Sequence, residues 1–327
     1  METLTVNFYE LQERNRRRTL VLILVFVVLL GVLGYSLDRA FFGGGSYALT
    51  FLALLVAGVQ SFVGYFYGDR MALSATHARP ARPEDPEERQ LIHVVQEMAI
   101  AAGLPMPKVY VIEDPSPNAF ATGRDPAHAS VAATRGLLEM MNREELQAVM
   151  AHEMSHIRHR DILTMTMVTA LAGAIVVLAD MARRYLWYGG GRRRRRSSDR
   201  SDSGGGGGLF VLIALVLIIL APIVARLMAL AVSRAREYLA DAGAAELTRN
   251  PLALARALRK IAGAPPMQHV SQSTAHLFIL DPRKSRINEK DSLWSNLWST
   301  HPPLETRIRL LKRMAGTLGM GQDDDLA

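Results

Sequence analysis

The chain has 327 residues, 49% of them hydrophobic and 21% charged, which excludes a disordered polymer and allows one or two domains. Its formal charge is +7 and it contains no cysteine, so a thiol nucleophile is excluded. The missing cysteine agrees with a reducing compartment, although many exported proteins also lack it.

The apolar residues are unevenly spread. Residues 19–37 and 46–68 carry no charge, and each is long enough to cross a hydrocarbon core of about 30 Å. Eight residues separate them, room for a tight turn, so they read as two antiparallel membrane helices. A secretory signal is the other reading of the first; the lack of a small-x-small cleavage site and the second apolar segment weigh against it. Arg14, Arg16, Arg17 and Arg18 precede the first span, Arg70, Arg79 and Arg82 follow the second, and Arg39 alone lies in the turn. The positive-inside rule therefore puts the N-terminal segment and the chain beyond residue 70 in the cytoplasm.

Pro80, Pro83 and Pro86 mark the exit from the membrane. A helix is expected over 87–102, stopped by Gly103 and Pro105, then a strand over 108–113. Residues 116–134 read as an edge strand, a turn and a returning strand, and 135–143 lead into a helix from about Glu144. That helix carries His-Glu-Met-Ser-His at 152–156 and is read as continuing into the apolar segment at 162, which would set the motif close to the membrane surface. Helix positions four apart share a face, so His152 and His156 can address one ion, while Glu153 can reach a water in the ion's open position.

Residues 162–179 and 209–225 are apolar but near the lower limit for a span. They read as a second pair of spans or as a hairpin packed on or partly inside the membrane, the first being preferred. The arginines at 192–196 between them favour the cytoplasmic side and conflict with an outward crossing. If the site needs groups from both sides of this insertion, either both segments cross or neither does. The glycine and serine runs make the linker flexible. Nucleic acid is not an expected partner: no aromatics interleave the arginines, and anionic lipid headgroups explain them more simply. Beyond lie a helix over 231–249, another over 252–261 opened by Pro251, and a loop leading into a basic helix within 299–314. The chain thus divides into a tail with two transmembrane helices (1–70), the first part of a catalytic domain (71–161), a hydrophobic hairpin with its linker (162–230), the second part of that domain (231–320) and an acidic tail (321–327).

A catalytic zinc site takes three protein ligands and a water. His159 shares the face of His152 and His156 but lies about 10 Å along the helix axis from His152, too far for one ion to use all three. Glu237 is the better third ligand, on a helix able to pack against the first, with Asp241 one turn on to hold a histidine's second nitrogen. Spacing alone leaves Glu237 and Asp241 equally open to being solvated helix surface.

HEMSH, SRAREYLAD, PNAFATG and STHPPLETR, joined to paired N-terminal apolar helices, resemble the HtpX family of bacterial membrane metalloproteases, relatives of the CAAX prenyl proteases among the M48 peptidases. The resemblance runs from about residue 10 to 315. It implies a mainly α fold with a small β-sheet, an N-terminal helical hairpin and a second hydrophobic hairpin inserted in the catalytic domain. It further implies a multi-pass zinc endopeptidase of the bacterial cytoplasmic membrane, its active domain and N-terminal segment facing the cytoplasm, removing misfolded or damaged membrane proteins under stress. In this chain it assigns one zinc ion to His152, His156 and Glu237, the general base to Glu153, and support of the ligand shell to Asp241. Asn118, Ala119 and Phe120 would bind an extended substrate along an edge strand, with core packing the other reading of Phe120. His301 would donate to the developing oxyanion, and Arg307 would stabilise that charge or brace the cleft. His301 also reads as a rigid loop residue beside Pro302 and Pro303. The arginine-rich linker departs from the compact family form. Two other classes stay open: an intramembrane-type zinc protease, disfavoured by the charged residues after the motif, and an inactive membrane scaffold or chaperone.

Overall fold

The computed structural model describes residues 8–42, 46–184, 207–267, 277–280 and 301–319. The arginine run at 192–196 and the acidic tail expected at 321–327 lie outside them. In chain order the elements are α1 (Phe8–Phe42), α2 (Ala48–Ala75), β1 (Arg79–Pro80), α3 (Pro86–Ala102), β2 (Lys108–Ile112), β3 (Ala119–Gly123), β4 (Ala129–Thr134), α4 (Arg135–Met140), α5 (Arg143–Arg158), α6 (Asp161–Arg184), α7 (Gly207–Thr248), α8 (Pro251–Gly263) and α9 (Leu304–Thr317). The chain divides into two compact units, Met1–Gly64 with Met165–Ala229, and Tyr65–Thr164 with Leu230–Ala327.

The first unit is helical and buries apolar residues at helical spacing. Leu30, Leu33 and Leu37 of α1 cluster with Ala57 of α2, Ile175 of α6 and Ala221 of α7. The outward faces are apolar as well: Leu24, Phe51, Phe62, Val176 and Ile219 are all exposed. Helices apolar on every side suit lipid as solvent. Two described helical stretches, Ala48–Ala75 and Leu215–Thr248, are long and apolar enough to cross a membrane. The α1–α2 turn is tied by Asp38, whose carboxylate accepts from the N–H groups of Leu49 and Thr50, both at 3.0 Å, and from the Thr50 hydroxyl at 2.7 Å. A buried acid is stable there because it meets the positive end of α2.

The second unit holds a four-stranded sheet in the order β1-β2-β4-β3. β2 runs parallel to β4, while β1 and β3 are antiparallel to their neighbours, so β3 is an edge strand as the sequence predicts. The short β1 escapes a sequence reading because two residues ending in proline carry no strand pattern. β3 and β4 are joined across a single 3₁₀ turn (Pro126–His128). At Gly123 the backbone takes φ +142°, and a Cβ there would fall 2.5 Å from the His128 carbonyl oxygen, so only glycine fits.

α3 starts where Asp85 caps it and stops at Gly103 in the left-handed conformation, close to its predicted bounds. α5 packs against α3, α8 and β3. One expectation is corrected: α5 does not continue into α6. It ends at Arg158, and Arg160 takes a positive φ of 53° before α6 begins at Asp161. The polar Arg-His-Arg-Asp stretch offers neither helix an apolar face to propagate.

Glu88 of α3 is fully buried and receives Arg79 through two hydrogen bonds of 2.7 and 2.9 Å, the Arg82 N–H, and Arg135. The Arg79 guanidinium is the leading cause that outweighs burial and lowers the Glu88 carboxyl to about 2. A carboxyl depressed in the folded state contributes its full stability above the unfolded value near 4.5, and that stability is lost as pH falls towards 2. The full shift corresponds to about 3 kcal/mol, which the partly exposed arginines screen to about 2. Glu88→Gln should therefore flatten the acid limb of the unfolding-versus-pH curve between about pH 4.5 and 2. An unchanged limb would show that Glu88 does not couple to folding.

Candidate metal centre

α5 is fixed at its start by a reciprocal cap: the Asn142 side chain accepts from the Glu145 N–H at 2.9 Å, and the Glu145 carboxylate accepts from the Asn142 N–H at 3.0 Å. Lys260 of α8 donates to the same carboxylate at 2.6 Å. The other end of α5 carries the motif. His152 and His156 turn their Nε2 atoms towards each other, 3.2 Å apart, inside the protein.

α7 brings Glu237 to this pair. A Cβ on Gly243 would fall 2.4 Å from the Ser155 hydroxyl oxygen, so α7 can press against α5 only because residue 243 has no side chain. Glu237 Oε2 then lies 3.8 Å from His152 Nε2, and Oε1 lies 3.6 Å from His156 Nε2. Ligand atoms about 2 Å from a tetrahedral ion stand about 3.3 Å apart, close to these separations. Two imidazole nitrogens and a carboxylate buried face to face make a poor hydrogen-bonding set and a good cation site. His156 also lies in the last turn of α5, at the negative end of its dipole. Among the described residues, His152, His156 and Glu237 are the group able to hold a metal ion, and His159 is outside it.

Around this triad the chain has built a second layer. Asp241 Oδ1 sits 3.0 Å from His152 Nδ1, and Arg307 grips Asp241 through Nε and Nη2 at 2.8 and 2.7 Å. Arg307 Nη1 donates to the Ile279 carbonyl at 3.0 Å and stands 3.3 Å from Glu237 Oε2. His301 Nδ1 is also 3.3 Å from Glu237 Oε2. Burial opposes ionisation of Glu237, but His301, Arg307 and His156 outweigh it and hold the carboxyl well below its usual range. Burial likewise opposes Asp241, and Arg307 and His152 pull it down. Glu153 behaves oppositely. Burial pushes its carboxyl up to about 7, with Glu237 adding to the rise, while His156, the Ala121 N–H and Arg307 work against it.

Every predicted site residue is therefore among the described ones, and His152, Glu153, His156, Glu237, Asp241, His301 and Arg307 converge. Asn118, Ala119 and Phe120 open the edge strand but face inward. Phe120 is fully buried, edge-on to Phe278 with ring centroids 5.1 Å apart, and the Asn118 amide donates to the Leu280 carbonyl at 3.1 Å. Sequence reasoning missed the Arg307–Asp241 fork and residue Ile279. The fork joins residues 66 apart in sequence with no spacing rule, and Ile279 acts through its backbone, which leaves no mark in a side-chain pattern.

A buried His-His-Glu set on two packed helices, with another carboxyl beside it, has the donor chemistry of a metal site. The chain belongs to peptidase family M48, whose model matches residues 85–315. It is 46% identical over 308 residues to a protein described as protease HtpX homolog from Caldanaerobacter subterraneus subsp. tengcongensis, covering 94% of this chain and 97% of the relative. A Limosilactobacillus reuteri protein of the same description is 46% identical over 310 residues, covering 94% and 99%. The crystal structure of S. mikatae Ste24p shares the fold at a TM-score of 0.52 and 19% identity, over 93% of this chain and 67% of that one. With these relatives and its candidate spans, the chain is a membrane metalloprotease.

Proposed function

We propose that the chain is a zinc-dependent endopeptidase of the bacterial cytoplasmic membrane that hydrolyses peptide bonds in misfolded or damaged membrane proteins. The observation carrying this reading is the convergence of two imidazole nitrogens and the Glu237 carboxylate, 3.2 to 3.8 Å apart, beside the Glu153 carboxyl. His152, His156 and Glu237 would hold one zinc ion, a donor set of two imidazoles and a carboxylate that suits that metal. When bound, zinc supplies Lewis acidity, lowering the pKa of a water and drawing charge from a carbonyl.

Glu153 accepts the water's proton as its oxygen attacks the scissile carbonyl carbon, then passes that proton to the departing amine. His301 presents a buried Nε2 with no hydrogen-bond partner among the described residues, and an Nε2–H there donates to the developing oxyanion. Asp241 Oδ1 stands 3.0 Å from His152 Nδ1, a carboxylate placed to keep the proton on that nitrogen and leave Nε2 as the ligating one. Arg307 spends its donors on Asp241, Glu237 and the Ile279 carbonyl, which favours bracing over contact with substrate. An extended substrate adds to the edge of β3 through backbone hydrogen bonds, a broad recognition suited to quality control.

The exposed apolar residues of α6 and α7, Val176, Val177, Leu215 and Ile219 among them, favour a second pair of spans. The arginines flanking the first pair favour a cytoplasmic N-terminal segment and active domain.

Metal removal tests the reading. Stripping the detergent-purified enzyme with a chelator should lower cleavage of an unfolded protein by more than about 100-fold, and one equivalent of zinc per chain should restore it. Full activity in metal-free enzyme would sink the zinc mechanism.

A further inference from the structure

Residues 277–280 belong to none of the sequence motifs, yet they are fastened on every side. Phe278, Ile279 and Leu280 are almost fully buried. Ile279 donates its N–H to the Ala119 carbonyl at 3.0 Å and accepts Arg307 Nη1 on its own carbonyl at 3.0 Å. The Asn118 amide holds the Leu280 carbonyl, and Phe278 packs on Phe120. The backbone of one residue thus ties the edge strand β3 to the arginine that braces Asp241 and Glu237.

The ladder alternation fixes what this tie does to the edge. In an antiparallel pair, alternate residues turn their N–H and C=O towards the partner strand. Asn118 points its carbonyl at Thr134 of β4, and Ala119 points its own at Ile279, so Ala121 and Gly123 face outward with Ala119. α5, which carries Glu153, packs against β3, so the centre lies beside this edge. Among the described residues, none outside the sheet bonds to the Ala121 carbonyl or to the backbone of Gly123. Ala119 is closed. A substrate strand displacing 277–280 would have to expose three large apolar side chains for one or two backbone hydrogen bonds, a losing exchange.

We infer that Ile279 is a positioning residue: its backbone ends the pairing edge at Ala119, locks β3 to Arg307, and confines strand addition by a substrate to residues 121–123. The inference rests on the strand-addition reading given above. It predicts a protease that grips its substrate's backbone on one side of the scissile bond only.

The test is a set of peptides with one cleavage site, fixed by mass spectrometry, each carrying a single backbone N-methyl group, cleaved by the zinc-loaded full chain in detergent. Methylation on one side should lower kcat/KM by about tenfold or more at alternate residues, while methylation on the other side leaves it within about twofold. Ile279→Val, which keeps the N–H, should match the wild type. Ile279→Pro, which deletes it, should lower kcat by about tenfold with KM little changed and zinc retained. If the proline variant fails to fold, the methylation series on the wild type decides alone. Equal sensitivity on both sides would overturn the inference and leave strand addition standing. Insensitivity at every position would overturn strand addition and this inference together.

Discussion

Glu153→Gln should lower kcat for cleavage of an unfolded protein by about 10²–10⁴-fold, with one zinc per chain still bound. The glutamine keeps the shape of the side chain and removes its capacity to take a proton. Glu153 is buried beside the ligand pair without belonging to the ligand set, so the metal should remain. Its carboxyl is raised to about 7 by burial, so replacing it removes no favourable charge from the fold, and the melting temperature should hold or rise slightly. Matched zinc analysis, melting curves and rates on the same preparations separate the possibilities. Equal rates would assign cleavage elsewhere, and loss of zinc would make Glu153 part of the binding set.

Arg307→Met should destabilise the second unit by about 3–5 kcal/mol, the usual result of stripping one partner from a buried ion pair. Asp241 would lose two charge-assisted hydrogen bonds and Glu237 a neighbouring cation, all without solvent to replace them. Zinc affinity should fall too, because Asp241 would no longer be held against His152 Nδ1. Arg307→Lys should recover little, since one ammonium cannot span the Asp241 fork, Glu237 and the Ile279 carbonyl together. Chemical unfolding and zinc titration in a Glu153→Gln background avoid self-digestion. Wild-type stability and zinc affinity with kcat alone reduced would contradict bracing and return Arg307 to the developing charge.

The parts of this centre legible in the sequence are those governed by short-range geometry. His152 and His156 declare themselves because four residues bring two side chains back to one face, and Gly103 and Pro251, which act on the adjacent backbone, mark the end of α3 and the start of α8. Glu237 and Asp241 were only half legible. Their spacing fits a ligand and its support, but it fits a wet helix surface too, and it is the missing side chain at Gly243 that brings α7 against α5. The break between α5 and α6 is not legible, because a positive φ at an arginine has no sequence sign. Ile279 could not be found at all, for a backbone carbonyl is the same in every residue.

Gly243 and Glu237 also set an order in time. The two histidines lie on α5 and the third ligand on α7, with the whole apolar insertion between them in the chain. A ribosome making this protein finishes His152, Glu153 and His156 long before it reaches Glu237, and the two-histidine half-site it releases first lacks the third donor that a working zinc requires. Only after α7 has been synthesised and has closed on α5 can the ion be held with a water beside it. On the proposed ligand set, a nascent chain would therefore lack its third zinc donor until Glu237 has been made, and cleavage would await the closing of α7 on α5.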